Sequence, residues 1–396
     1  MFDLNNKLNK IKNENLLRKS FEFSSAQDSV VTLNNKKVLL FSSNNYLCLC
    51  NDSQLKLSSL NTINNFGIGS GGSRLTTGTT TLHIECEKTI SKFKEKEDSI
   101  LYSSGYLCNL GSISSLFYED FVIFSDELNH SSIINGIKLT KSKCIIYKHS
   151  NMSDLQKKLK EYSNVSKKII ISDGVFSMDG DICNLGDLLD LCYKYNSYLY
   201  IDDAHATGIL GKMGRGTCEH FNINDERIIL MGTGSKALGC LGGFISSTSQ
   251  VINYLKNTSR TFIFSTSQTP ENAKTLCNAI NKSIKCTKER EHLKNISIYL
   301  REHLKNIGYE VIDGITPIVP IILKDEKLSL IFQEKLLENN IFVTPIRPPS
   351  VPKHTSRLRI TLCSNHTFDN INYLIKILKD LYIKYEKSIK GDFYEK

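Results

Sequence analysis

Between residues 99 and 246, short unbroken apolar runs recur along the chain, separated by amphipathic stretches. The runs fall at 99–102, 121–125, 144–147, 168–173, 198–203, 228–233 and 243–246. They are rich in β-branched residues and do not alternate with polar ones, which predicts strands buried on both faces of a mostly parallel sheet. The stretches between them have helical spacing. Leu82, Cys86, Ile90 and Phe93 share one face, after the candidate caps Thr79, Thr80 and Thr81. Glu85 and Glu87 come early and Lys92, Lys94 and Lys96 late, the order a helix dipole favours.

From about residue 281 the pattern changes. A long helix is predicted over 284–307, then strands near 309–312, 317–323, 341–343 and 357–362. A closing helix over 368–385 is apolar at Ile371, Leu374, Ile375, Leu378 and Leu381. Before the alternating region, the chain reads as a polar arm with weak helical character. The expected organisation is an arm over 1–43, a large α/β domain over 44–280 and a smaller α+β domain over 281–396. No internal repeat is visible.

Composition narrows the class. The 396 residues are 40% apolar and 23% charged, with no run near the about 18 apolar residues a membrane span needs. The first residues are polar and do not read as a secretory signal. Twelve scattered cysteines then point to reduced thiols in the cytoplasm. Cys48 and Cys50 have no second Cys/His pair at ligand spacing, so no metal is expected. The net charge of +9 comes from dispersed lysines, with no nucleic-acid motif. It suits a solvated surface, or attraction of an anionic carrier.

The chemistry gathers at strand ends, where open parallel sheets bind ligands. The 121–125 run leads into Asp126, Asn129 and His130, and the 168–173 run into Gly174 to Ser177. In the 198–203 run, Tyr198 to Ile201 lead into Asp202, Asp203, Ala204 and His205. The 228–233 run leads into Gly234, Ser235 and Lys236. A lysine can hold an aldehyde as a Schiff base, and a strand-end carboxylate can keep a pyridine nitrogen protonated. His205 could reach a phenolic oxygen, and His130 could lie over the ring. Thr233 and the backbone of Gly105 and Tyr106 could hold a phosphate. Each residue alone also has an ordinary reading: an acceptor for Asp202, a core histidine for His130, a loop for Ser235-Lys236. The glycine-rich run from Gly67 to Gly72 lacks both the P-loop ending and Rossmann spacing, so it reads as a flexible loop.

These segments resemble the α-oxoamine synthases, fold-type-I pyridoxal-phosphate enzymes. The resemblance runs from about Arg18 to the closing helix. It rests on Ser42 to Leu47, Gly67 to Arg74 with Thr77 to Thr79, Ser104 to Tyr106, Asn129-His130, Gly174 to Asp181, Asp202 to His205 and Thr233 to Lys236. It implies pyridoxal 5'-phosphate carried on Lys236, with Asp202 at the ring nitrogen. His205 and Ser177 would approach the ring oxygen, and His130 would stack on the ring. Gly105, Tyr106, Thr233 and Thr266 would serve cofactor binding, Thr266 toward a partner subunit of a homodimer. Asn44 and Arg347 would hold the amino-acid carboxylate, with Arg18 and Ser350 on the acyl side.

The implied reaction is decarboxylative condensation of a small amino acid with an acyl thioester on coenzyme A or an acyl carrier protein. Ile346 to Pro352 and Arg357 to Leu362 look most like the biotin-pathway member, which implies L-alanine and a pimeloyl thioester. Glycine, serine and other acyl groups are the alternatives within the family. A catalytically silent partner subunit would be expected to lack the lysine, and Lys236 is present. The sequence departs from the family at Cys48, Asn184 and Ser350, where glycine, proline and threonine are usual.

Overall fold

The computed structural model of the protein describes residues 3–390, which form two compact units. The larger unit spans Leu49–Ser177 and Ile182–Lys288. Its core is a seven-stranded sheet in the order Asp98–Tyr102, Gly243–Ser247, Ile228–Thr233, Tyr198–Asp202, Lys168–Asp173, Val122–Asp126, Lys143–Tyr147. The last five strands of that order run parallel, and Gly243–Ser247 is antiparallel to both its neighbours.

The seven expected runs become these seven strands, because the pleat sends alternate residues into two cores. Ile169, Ile171, Tyr200, Ile229 and Met231 pack with Cys108, Ile133 and Ile252. Ile170, Leu199, Ile201, Ile228 and Leu230 pack on the other face with Leu155, Leu188 and Cys192. A strand covered on both faces has no polar side to show, which is why its sequence does not alternate. The helix expected near Thr79 runs Thr81–Lys94 from a Thr80 cap, burying Cys86, Ile90 and Phe93.

The second unit is built from residues 3–48, 178–181 and 289–390. Ile318–Lys324, Ser356–Thr361 and Thr344–Ile346 form an antiparallel sheet with Ser356–Thr361 in the centre. The unit's helices include Leu4–Asn13, nearly all of Thr287–Ile307, Glu326–Glu338 and Phe368–Lys390. Gly180 shows how residues 178–181 attach to this unit. Thr316 donates to its carbonyl at 2.6 Å, and a Cβ on Gly180 would meet the Ile318 carbonyl oxygen at 2.4 Å.

Three local expectations change. The polar arm contains a β-hairpin, Val30–Leu33 with Lys36–Leu40, closed by Asn34 and Asn35 at φ 50° and 60°. Asparagine tolerates the left-handed conformation that a tight hairpin turn needs at both central positions. The strand expected at 309–312 is only an isolated bridge between Val311 and Ile321. The long helix expected from residue 284 is split: Pro270–Lys285 ends at Cys286, and Thr287–Ile307 begins after it. Among the described residues no helix is long and apolar enough to cross a membrane.

Candidate active site

In the larger unit, Asp173 lies opposite Asp202 and Asp202 opposite Met231, so the polar strand ends share one edge of the sheet. Several of these groups are scaffold. Asp126 accepts from Leu128 N at 2.9 Å, Ser150 N at 3.0 Å and the His149 ring at 3.0 Å. Asn129 donates to the Ile171 carbonyl at 2.8 Å and accepts from Asp173 N at 2.9 Å, pinning the loop after Val122–Asp126 to the Lys168–Asp173 strand. Asp173 accepts from His130 N at 2.7 Å. Burial, reinforced by the Asp202 charge, holds the Asp173 carboxyl well above the usual carboxylate range.

Asp202 and Asp203 are neighbours with separate duties. Asp203 takes the Lys94 ammonium at 3.0 Å and the Thr217 hydroxyl at 2.6 Å, all buried, and so anchors the end of the Thr81–Lys94 helix. Asp202 accepts from Ala204 N at 2.9 Å and from Asn109 Nδ2 at 2.6 Å. Its carboxylate plane is therefore fixed at the strand end.

Beside it lies a cradle. Ser104 caps the Gly105–Leu116 helix by accepting from Leu107 N at 3.2 Å. A Cβ on Gly105 would stand 3.0 Å from Met231 Cε and 3.3 Å from Thr233 Oγ1. Glycine lets this helix start come so close to the hydroxyl without any neighbour having to shift. Thr233 donates to the Gly242 carbonyl at 2.5 Å and accepts from Ser235 N at 3.2 Å, which holds the turn carrying Lys236. His130 sits near both charged groups. Burial lowers the proton affinity of its imidazole, the Asp202 carboxylate opposes this and the Lys236 ammonium adds to it.

The remaining expected residues of this unit are spread around that centre. Tyr106 is exposed, and its hydroxyl accepts from Asn135 at 2.5 Å. Ser177 is half-buried at the unit's edge in sequence, and His205 is buried. Thr266 is exposed, with its carbonyl accepting from the Ser103 hydroxyl at 3.1 Å.

The second unit holds the other expected residues. Asn44 Oδ1 accepts from Arg359 Nη1 at 3.1 Å and from the Tyr46 hydroxyl at 3.2 Å. Burial pushes the Tyr46 phenol up, and the Arg359 charge works against it. Arg347, expected beside Asn44, instead donates to the main-chain carbonyls of Asn15 and Leu17. Arg18 and Ser350, both exposed, line with Arg347 a cavity of about 410 Å³ whose walls include Phe21, Phe342 and Ile346. Burial, followed by the adjacent Arg18 charge, lowers the proton affinity of Arg347.

The aminotransferase class I and II family model matches residues 36–378. An 8-amino-7-oxononanoate synthase of Lysinibacillus sphaericus is 44% identical, over 94% of this chain and 95% of its own. The chain belongs to the α-oxoamine synthases of this family. It is a pyridoxal-phosphate-dependent acyltransferase with the fold-type-I architecture. A serine palmitoyltransferase from S. paucimobilis superposes with a TM-score of 0.91 at 26% identity, covering 96% of this chain and 97% of that one. An 8-amino-7-oxononanoate synthase from Francisella tularensis gives 0.78 at 30% identity, covering 88% and 98%.

The larger unit's donor set suits the cofactor of an α-oxoamine synthase. It offers a lysine, a fixed carboxylate, an imidazole, and a helix start against a hydroxyl that a Cβ would fill. Two contributors escaped the sequence reading here. Asn109 lies one helical turn past Gly105 among small and apolar residues, and that isolated buried polar position was its only signal. In the second unit, Arg359 sat inside a run noted for its strand pattern and its family resemblance, with no role given to the arginine itself.

Proposed function

We propose that this enzyme condenses L-alanine with a pimeloyl thioester, releasing carbon dioxide and the thiol and forming 8-amino-7-oxononanoate. The observation that carries the reading is the cavity of the second unit. Its lining is apolar at Phe21, Phe23, Phe342 and Leu330, and three cationic side chains, Arg18, Lys19 and Arg347, line it as well. Like charges beside one cavity repel, and an acyl chain ending in a carboxylate relieves that repulsion. A palmitoyl chain has no such end. The name borne by the Lysinibacillus sphaericus relative supports the same choice.

Pyridoxal phosphate, when bound, supplies the electron sink that makes the amino-acid α-carbon nucleophilic. The chain's own residues do the rest. Asn44 and Arg359 hold the amino-acid carboxylate, Arg359 through a planar fork suited to it. Lys236 takes the α-proton on its Nζ and later returns a proton to the product carbon. With the cofactor bound, Asp202 would pair with its ring nitrogen and His130 would stack on the ring, with Ser177 and His205 serving the ring oxygen. Gly105, Tyr106 and Thr233 would hold its phosphate. The new carbon–carbon bond forms as the thioester C–S bond breaks, and the carboxylate leaves as carbon dioxide.

The same reading makes the enzyme a cytoplasmic homodimer in which Thr266 serves the partner's phosphate. Ile68, Leu241 and Phe264 of the larger unit are among its most exposed apolar side chains, which a second copy would cover. The test is a turnover panel of alanine, glycine and serine against pimeloyl, acetyl, succinyl and palmitoyl thioesters. The pair alanine and pimeloyl should give the highest kcat/KM, and Arg18→Ala should erase the preference for pimeloyl over heptanoyl. Preference for serine with palmitoyl would replace the proposal with the activity named for the S. paucimobilis structure.

A further inference from the structure

Asn109 is 1% exposed and spends its whole amide on three partners. The Tyr200 hydroxyl donates to Oδ1 at 2.7 Å. Nδ2 donates to Asp202 Oδ2 at 2.6 Å and to Ser132 Oγ at 2.8 Å. This pattern fixes which amide atom is which, because a flipped amide would press an oxygen against the Asp202 carboxylate. Ser132 Oγ has accepted from Asn109, so its single hydrogen is available for His130 Nδ1, 2.7 Å away. The Ser132 backbone N–H also points at that nitrogen, at 3.3 Å. A ring nitrogen that receives two donors carries no hydrogen of its own.

We propose that Asn109 is a positioning residue that sets the tautomer of His130. Acting through Ser132, it keeps Nδ1 an acceptor and leaves the ring hydrogen on Nε2. The same amide holds the Asp202 carboxylate, so one side chain orients both groups assigned to the cofactor. The helix explains how one residue can do this. Asn109 stands one turn into Gly105–Leu116, so the element that presents its N-terminus to the phosphate also sets the ring-facing groups. The inference rests on the roles given above to His130 and Asp202. Its structural half, the tautomer, can be tested without them.

The test uses the full-length holoenzyme labelled with ¹⁵N-histidine, with the His130 signals assigned by their loss in His130→Asn. In the wild type, the His130 Nδ1 shift should be that of a nitrogen bearing no hydrogen, and Nε2 that of a protonated one. Ser132→Ala should mix the two tautomers, and Ser132→Thr, which keeps the hydroxyl, should restore one. In turnover, Asn109→Ala and Ser132→Ala should each lower kcat about ten-fold or more, the loss of one hydrogen bond to a reacting group. The double variant should fall no further than Asn109→Ala alone, since the two act in series. A protonated Nδ1 in the wild type, an unchanged tautomer in Ser132→Ala, or losses that multiply in the double variant would each overturn the proposal. If the wild type turned over a different substrate pair, the substrate assignment would fail while the tautomer result still stood.

Discussion

Arg359 donates to the side-chain oxygen of Asn44 at 3.1 Å, although the two residues are 315 positions apart in the chain. Arg359 is nearly buried, and Asn44 follows the hairpin whose last strand is Lys36–Leu40. The link makes the carboxylate-binding role proposed for Asn44 depend on a central strand of the second unit.

The first prediction follows from that link. Arg359→Lys keeps the charge and loses the fork, so the KM for the amino acid should rise about ten-fold or more. The KM for the acyl thioester should stay near its wild-type value. Steady-state kinetics with each substrate varied in turn decides it, and equal rises in both constants would remove Arg359 from the amino-acid side.

Asp202 offers the second. Its carboxylate is fixed by Ala204 N and Asn109. Asp202→Ala should retain some bound cofactor but lose turnover about a hundred-fold or more, as when a preorganised charge is removed. Absorbance of the bound cofactor and kcat, measured on one preparation, separate the two effects. Near-normal turnover in a well-folded variant would leave Asp202 a purely structural acceptor.

Gly105 gives a prediction about affinity alone. A methyl there would stand 3.0 Å from Met231 Cε, so Gly105→Ala requires a small shift of a flexible side chain, whereas valine must also displace Thr233. Cofactor titration of the stripped enzyme should show a modest loss for Ala and about ten-fold or more for Val. Identical affinities in all three proteins would move the phosphate away from this helix start.

His366 makes stability depend on pH. Its ring stacks on Phe41 with centroids 4.2 Å apart, accepts from Cys363 N at 2.9 Å, and is pushed by burial down to about 4. The unfolded chain therefore binds a proton between about pH 6.5 and 4 that the folded ring refuses. This contribution is fully present above pH 6.5 and is lost as the pH falls through that window, at most about 3 kcal/mol. Thermal melts at pH 7 and pH 5 should show a larger drop for the wild type than for His366→Asn, by roughly 2–4 °C. Equal drops would mean that the ring titrates normally in the folded state.

Much of this architecture is legible in the sequence because it follows from burial. A strand such as Lys168–Asp173, covered on both faces, has to be written as an apolar run, and its end has to turn polar where the sheet stops. That is why Asp202, Thr233 and Lys236 stand out. The hairpin at Asn34 and Asn35 was harder to see, since two polar turn residues followed by two lysines look like more of the arm. Arg359 and Asn109 were hidden for another reason. Their partners lie in distant segments, and only the folded chain shows that Asn44 faces one and Asp202 the other.

The Lys36–Leu40 strand pairs in parallel with Ile341–Phe342, Leu39 opposite Ile341 and Leu40 opposite Phe342. The hairpin therefore leaves the ribosome about 300 residues before the strand that will cover its edge. At about 5–20 residues per second, that is roughly 15–60 s of open edge on a nascent chain. An uncovered edge invites pairing with other chains, and lysines along it are a common deterrent. Lys36 and Lys37, both exposed and at the start of that very strand, place two positive charges where a second nascent hairpin would have to dock.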